Sequence, residues 1–517
     1  MSTSVTNIRR WAAVCLWVVG FLQVGACALA PAGGERTPSY ALPAAASGAL
    51  HDYDRRIEVR LGGSDSAFWL LDRADESFRA RLALLDEAKT SLDIQYFIWE
   101  KDSSSRLLSR RVLYAADRGV RVRLLLDDLT LLNQEAEFAA IAEHPNIEIR
   151  VFNPFSNRTA IGRFIDFVFH AGRLNHRMHS KAVVADGRFA LIGGRNIGDR
   201  YFGIYDRFVQ NDLDIMAAGP VVTEVSRSFD LYWNSSEAYL LPTIAPRRSA
   251  KSNLPEITGF IESYYRDRST RLQAFALDPA DWTAYFDNLT RTFAAGVGEY
   301  EYDLPEVRVA EPEQFYTQFK QFVGRTEREI LISSPYFIPD ETFFEQLKAL
   351  AARGVRVVVL TNSLASNNHK IAHAGYKRWR KRILRAGIEL YEARSDSAAI
   401  GVYTTPPTEP GFLGLHAKAV VIDDRLSFVG AANIDPRAMN LNTENGFFVE
   451  SPELAERVTA LIERDTAPST SWRVTFDENG KLQWTSDKGT VKREPALGFG
   501  QRVAEFFVGL LPFKKQA

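Results

Sequence analysis

Met178-His179-Ser180-Lys181-Ala182-Val183-Val184-Ala185-Asp186, followed by Gly193-Gly194-Arg195-Asn196, has a second copy in Leu415-His416-Ala417-Lys418-Ala419-Val420-Val421-Ile422-Asp423, followed by Gly430-Ala431-Ala432-Asn433. The spacings agree completely: Lys stands 2, Asp 7 and Asn 17 residues after His in both copies. Residues two apart on an extended chain point to the same side, so each His shares a face with its Lys. Met178 and Ala182, or Leu415 and Ala417, turn the other way, toward a core. Small residues before each Asn permit close approach of the backbone to a bound group.

Outward from these stretches the repetition continues. Ile94-Gln95-Tyr96-Phe97-Ile98 is echoed by Ser334-Pro335-Tyr336-Phe337-Ile338 at an offset of 240, and Arg118-Gly119-Val120-Arg121-Val122 by Arg353-Gly354-Val355-Arg356-Val357 at 235. Asn146-Ile147-Glu148 returns as Gly387-Ile388-Glu389, and the two His-x-Lys motifs lie 237 apart. Near-constant offsets identify a duplicated domain. Within each copy, short β-branched runs such as Val120 to Leu126 and Val355 to Leu360 alternate with stretches of helical period such as Phe343, Leu347 and Leu350. Strands separated by helices predict an α/β fold of two lobes, each a mixed β-sheet flanked by helices. The expected boundaries are a first lobe over 56–240, a connecting region over 241–310, a second lobe over 311–466 and a tail over 467–517. Phe499, Val503, Phe506, Phe507, Leu510 and Leu511 give that tail an amphipathic helical end.

A chain of 517 residues with 46% apolar and 25% charged residues has ordinary globular composition. Sixty-three Lys and Arg against 64 Asp and Glu leave a net charge of −1, so no global positive field draws the chain to a polyanion, and no nucleic-acid partner is expected. Both cysteines, Cys15 and Cys27, fall at the N-terminus, so the folded body has no disulfide. Arg9 and Arg10, the apolar run Trp11 to Leu22 and Val24-Gly25-Ala26-Cys27 have the layout of a signal peptide over 1–27. The ending is similar to a bacterial lipobox, which would make Cys27 the lipidated first residue of the mature chain. An uncleaved membrane helix is the alternative, although the run is shorter than the roughly 20 apolar residues a span requires. The Ala-, Pro- and Gly-rich stretch that follows predicts a flexible tether over 28–55.

The twin motifs resemble the HxKxxxxD(x)6G(G/S)xN signature of the phospholipase D superfamily, and the repeat resembles its fused two-lobed members, with Ala431 standing where Gly or Ser is usual. Arg173 to His179, Gly193 to Asp199 and Asn433-Ile434-Asp435-Pro436-Arg437 are similar in particular to bacterial cardiolipin synthases of the C type. The resemblance implies one active site at the lobe interface, built from His179, Lys181, Asn196, His416, Lys418 and Asn433. It also implies a phosphohistidine intermediate, with His179 as nucleophile and His416 as general acid and base. It further implies an orienting carboxylate for each histidine: Glu444, 28 residues after His416, is expected to hold that ring, and Asp212 to hold His179. Asp186 and Asp423 follow strand-like runs and are expected to support the fold. Two lysines and two amides clamping a phosphodiester make a metal unnecessary, so neither metal nor cofactor is expected. The histidines also lack zinc-site spacing.

The implied activity is phosphatidyl transfer between phospholipids, with phosphatidylglycerol as acceptor and cardiolipin as product, at a bacterial membrane with the body in the periplasm. A lipid hydrolase, a nuclease of the same fold and a tethered lipid-binding module are the alternatives. Phe164 to Phe169 fits either core packing or an acyl channel. Asn368-His369-Lys370 with His373 fits either a headgroup contact or a solvated helix start. The Pro-rich stretch Thr404 to Gly411 is placed to cover the cleft.

Overall fold

A computed structural model describes residues 37–502, except 64, 133, 246–252, 269–270, 306–313 and 499. The signal-peptide segment with Cys27, and the tail beyond Arg502, lie outside the described residues.

The first lobe contains β1 (Ser66–Leu71), β2 (Ser91–Tyr96), β3 (Arg121–Asp127), β4 (Ile147–Phe152), β5 (Arg177–Met178), β6 (Ala182–Ala185), β7 (Phe189–Gly193), β8 (Val209–Asn211), β9 (Asp214–Ala218) and β10 (Ala238–Leu240). After the seam strand β11 (Ala294–Tyr302), the second lobe supplies β12 (Glu329–Ser333), β13 (Arg356–Asn362), β14 (Glu389–Ala393), β15 (Leu413–Leu415), β16 (Ala419–Ile422), β17 (Leu426–Gly430), β18 (Asn442–Thr443) and β19 (Asn445–Glu450). It ends with β20 (Ser471–Phe476), β21 (Leu482–Ser486) and β22 (Gly489–Val491). Pairings run in the order β10-β4-β3-β2-β6-β7-β9-β1-β11, and β11 hands over to β19-β17-β16-β12-β13-β14-β20-β21-β22. The parallel strands β2, β3 and β4, like β12 and β13, are buried along most of their length, and buried charges on neighbouring strands pair with one another, as Arg123 does with Asp93 at 2.7 Å.

Register aligns the copies more exactly than sequence does. Ile94 pairs with Val183 and Leu124 in the first lobe, and Ile332 with Val420 and Val359 in the second, so β2 and β12 are offset by 238. The recurring Tyr-Phe pair at an offset of 240 is therefore a coincidence: Tyr336 occupies the place of Ile98, and Phe337 that of Trp99. The isolated bridges Trp99–Ile197 and Phe337–Ile434 show this directly.

The period of two in β6 splits its side chains between two cores. Val183 and Ala185 face the outer core of the first lobe, while Ala182 and Val184 join Leu331, Val358, Val421 and Phe447 in a core shared by both lobes. The region expected only to connect the lobes thus holds a structural strand, since β11 pairs with β1 through Ala294–Gly296 and with β19 through Val297–Tyr302. The tether is also shorter than expected. Residues 37–48 dock on the first lobe, where Asp230 accepts the Ala41 amide at 2.9 Å and Arg123 donates to the Ser39 carbonyl at 2.9 Å, and a helix already begins at Ala49. Composition marks such a stretch as unable to fold alone, but buried Arg123, Arg150 and Trp233 supply hydrogen bonds that fix it.

Candidate active site

His179 and His416 do not lie inside strands. Each occupies the extended approach to one, between β5 and β6 or between β15 and β16. Two short parallel ladders cross from lobe to lobe at these approaches. In one, Met178 of β5 pairs with Thr443 of β18, and in the other Leu415 of β15 pairs with Asn211 of β8. The next residue of each partner strand is a carboxylate. His179 therefore meets Glu444, with Nδ1 2.7 Å from Oε2, and His416 meets Asp212, with Nδ1 2.5 Å from Oδ2. The expected pairing within each lobe is corrected: the carboxylates are those foreseen, but each holds the other lobe's histidine. The backbone reinforces the crossing, since His179 N donates to Thr443 O at 3.0 Å and His416 N to Asn211 O at 2.6 Å.

Lys181 and Lys418 are both buried, each donating to the carbonyl of its own lobe's histidine. Lys418 Nζ also lies 3.0 Å from His416 Nδ1. Burial lowers both lysines, Lys181 to about 7 and Lys418 to about 8, against the opposing pull of Glu444 and Asp212. Burial and the two lysines hold His179 well below the ordinary imidazole value and His416 at about 4. The charges of Lys181, Lys418 and His416 all act on His179, as expected for groups sharing one site.

The carboxylates differ. Burial pushes Glu444 well above the usual carboxyl range, whereas at Asp212 burial is outweighed by His416, Lys418 and Arg195, which hold it low. The asparagines differ too. Asn196 Oδ1 accepts from Ile98 N at 3.1 Å and its Nδ2 donates to Tyr201 Oη at 2.9 Å, while Asn433 Oδ1 is buried without a partner among the described residues.

The small residues before the asparagines make room for the protein's own carboxylate strand. A side chain at Gly194 would meet Asp212 Oδ1 at 2.0 Å, and Gly193 has φ 152 and would meet Asp214 Oδ1 at 2.3 Å, so the glycines admit the carboxylate strand. Ala431, the counterpart of Gly194, keeps the same backbone contact through its bond to Asn445 O at 2.8 Å.

Asp186 and Asp423 sit away from this chemistry, in left-handed turns at φ 56 and φ 54. Asp186 accepts the backbone N–H groups of Lys89, Thr90 and Ser91, and Asp423 those of Glu327, Arg328 and Glu329. Both fasten the sheet.

Several residues at the site carry no signature in the sequence. The Phe97 ring lies 5.0 Å from His179 and 5.5 Å from Lys181 Nζ, and the Tyr201 ring lies 5.5 Å from His416. Arg200 bonds to Tyr201 Oη at 3.2 Å and opens onto a cavity of about 580 Å³ that Glu100, Tyr205 and Phe208 also line. His369 packs 5.4 Å from Tyr336 and feels Arg200 and Lys418, which puts it at the rim. His373 is instead buried against Glu494 at 2.8 Å and Arg380 at 3.3 Å, where no headgroup reaches it. The Pro-rich stretch straps the lobes together, with Thr405 N bonded to Gly203 O at 2.8 Å and Phe412 stacked on Phe208. Phe164 to Phe169 is neither core nor channel lining, because five of its six side chains face solvent. Among the described residues no group of three or more His, Cys, Asp or Glu side chains is arranged to hold a metal.

Residues 82–233 and 319–466 match the family described as cardiolipin synthase, PLD-like domain. The chain is 35% identical to cardiolipin synthase C of Escherichia coli, over 86% of this chain and 94% of that one. It is 28% identical to cardiolipin synthase A of Pseudomonas entomophila, over 77% of this chain and 67% of that one. Among solved structures, phosphatidylserine synthase of Haemophilus influenzae superposes with a TM-score of 0.54 at 15% identity, covering 81% of this chain and 92% of that one, which is a likeness of fold.

Proposed function

Because the chain belongs to the cardiolipin synthase, PLD-like family, we propose that it transfers a phosphatidyl group to phosphatidylglycerol and so makes cardiolipin. The observation that carries this reading is the crossed pair of buried histidine–carboxylate contacts around two buried lysines. A proton held on Nδ1 by the carboxylate leaves each Nε2 for the cleft. His179 Nε2 attacks phosphorus, the bond to the departing alkoxide breaks, and His416 supplies that oxygen with its proton. The acceptor hydroxyl then gives a proton to His416 and displaces His179 from phosphorus. Lys181 and Lys418 carry the charge of the equatorial oxygens throughout.

The unequal carboxylates support this division of labour. Asp212, held low, stabilises an imidazolium at His416, whereas burial makes the Glu444 carboxylate the weaker counter-ion for one at His179. A bound phosphodiester anion offsets the lysine charges that depress both rings, so His416 gains its proton as substrate arrives. We further propose acylation at Cys27 with the folded body in the periplasm; among the described residues no helix is long and apolar enough to cross a membrane.

The test is purified protein in vesicles containing labelled phosphatidylglycerol. Cardiolipin is expected to form faster than phosphatidic acid, and added glycerol to reverse the flow, since one phosphodiester is exchanged for another. Phosphatidic acid as the dominant product would establish hydrolysis instead.

A further inference from the structure

The helix Ala160–Leu174 is inside out. Surface helices turn their apolar stripe to the core, yet here the inward side is polar. Arg163 is buried and donates to Asp128 O at 2.6 Å, and Asp166 is buried, accepting from Ser156 N at 2.6 Å and lying 2.7 Å from His170 Nδ1. Ile161, Phe164, Ile165, Val168 and Phe169 are 76%, 69%, 50%, 57% and 63% exposed, and Phe167 is 39% exposed. With about 150–250 Å² for each aromatic side chain and similar areas for the aliphatic ones, the uncovered apolar surface is on the order of 600 Å². That is at the upper end of what a soluble monomer displays.

We propose that this helix is the face by which the enzyme seats itself in the lipid bilayer, lying in the interface plane with its aromatic side submerged. The position of the helix favours a bilayer over another occupant. It rests on the turn at Asp127 and Asp128, and Asp127 in turn holds Arg177 and the Met178 amide, immediately before His179, so the helix is joined to the site by one short chain of contacts. Arg173 and Arg437, both half-buried, border its C-terminal end and match an anionic headgroup layer, Arg437 donating to Asn175 O at 3.1 Å.

The described chain begins on the same lobe as the helix. Thr37 O accepts from Arg150 at 2.8 Å, and Asn153, three residues further along, bonds the carbonyls of Arg173 and His176 at the helix end. Three residues of extended chain span roughly 10 Å. Cys27 lies ten residues before Thr37, and ten residues reach at most about 35 Å, a span long enough for an acyl anchor there to enter the surface that the helix faces. A bilayer-seated face of this kind lets a two-chain lipid present its phosphate to His179 while its acyl chains stay in the membrane. This inference rests on the phosphatidyl-transfer reading for its purpose, but not for its test.

In the full chain with Cys15→Ser and Cys27→Ser, a cysteine placed at Ile165 carries an environment-sensitive fluorophore, and a reference chain carries it at exposed Asn479. Vesicles of phosphatidylethanolamine and phosphatidylglycerol doped with nitroxide lipids should quench the label at 165, which sits roughly 5–10 Å below the headgroups, and leave the label at 479 bright. No difference between the two positions overturns the proposal. So does shielding at 165 that grows with protein concentration in the absence of vesicles, which would make a second copy the occupant. In parallel, Phe164→Asp with Phe169→Asp, in the otherwise wild-type chain, should lower transfer on vesicles about tenfold or more while turnover of a monomeric short-chain phospholipid stays unchanged. Equal loss on both substrates would mean that the helix supports the fold or the cleft. If no chain transfers phosphatidyl groups at all, the functional reading fails while the quenching result still stands.

Discussion

Glu444→Gln keeps the shape of the side chain and removes its charge, at a carboxyl 2.7 Å from His179 Nδ1 and on the opposite lobe from that histidine. Both partners are buried. A charge-assisted hydrogen bond in such a setting contributes about 1.5–3 kcal/mol. At 1.36 kcal/mol per factor of ten, the substitution should slow phosphatidyl transfer by roughly 10- to 150-fold, and Asp212→Asn should do the same through His416. Activity alone does not establish which ring each carboxylate serves, so the decisive assay is nitrogen-15 resonance of selectively labelled histidines. The chain has 8, and His179→Asn and His416→Asn assign the two that matter. Glu444→Gln should shift the Nδ1 signal of His179 and leave that of His416 in place, with Asp212→Asn giving the converse. If Glu444→Gln instead moves His416 and spares His179, the crossed wiring is wrong and each lobe orients its own histidine.

Replacing either His179 or His416 with Ala should reduce turnover by several orders of magnitude, since nucleophile and acid act as one unit; a tenth of the activity surviving in either variant would rule out a single shared site. His416→Asn should leave phosphate label on His179, detected by peptide mapping, and label elsewhere would reassign the nucleophile. The kcat/KM profile should decline as pH rises through about 7 to 8, because burial lowers Lys181 to about 7 and Lys418 to about 8 and only their protonated forms hold the phosphodiester; a plateau up to pH 10 would refute that role, pH titration of initial rates being the measurement. Asp186→Ala removes an acceptor from three backbone N–H groups and should cost about 2–4 kcal/mol in denaturant unfolding, with transfer by the folded variant little changed at low temperature. Transfer should be unaffected by chelators; loss with EDTA and rescue by a divalent ion would require a metal.

The twin motifs and the duplication were legible in the chain because they are local. A period of two fixes the face of His and Lys, β-branched runs mark buried strands, and constant offsets reveal the copies. Even the identities of the orienting carboxylates, Asp212 and Glu444, were implied by the resemblance of the twin motifs to the family. Their partners were not, because they depend on β5 with β18 and β8 with β15, ladders of two and three residues whose pairing leaves no pattern in composition or spacing. The equivalence of Tyr96 and Tyr336 failed for a related reason, since only strand register separates an offset of 238 from one of 240.

Phe164 to Phe169 marks the same boundary. Its helical apolar pattern is identical whether the face is buried or bare, and what turned it outward was the pairing of Arg163 with the carbonyl at Asp128, and of Asp166 with the Ser156 amide, on the opposite side. The sequence by itself determined which histidines, lysines and asparagines recur at matched spacing and in what order they occur along two similar lobes. The tertiary structure decided which lobe each carboxylate serves and which apolar surface is left bare, because both depend on contacts between segments whose separation along the chain carries no signal of their proximity.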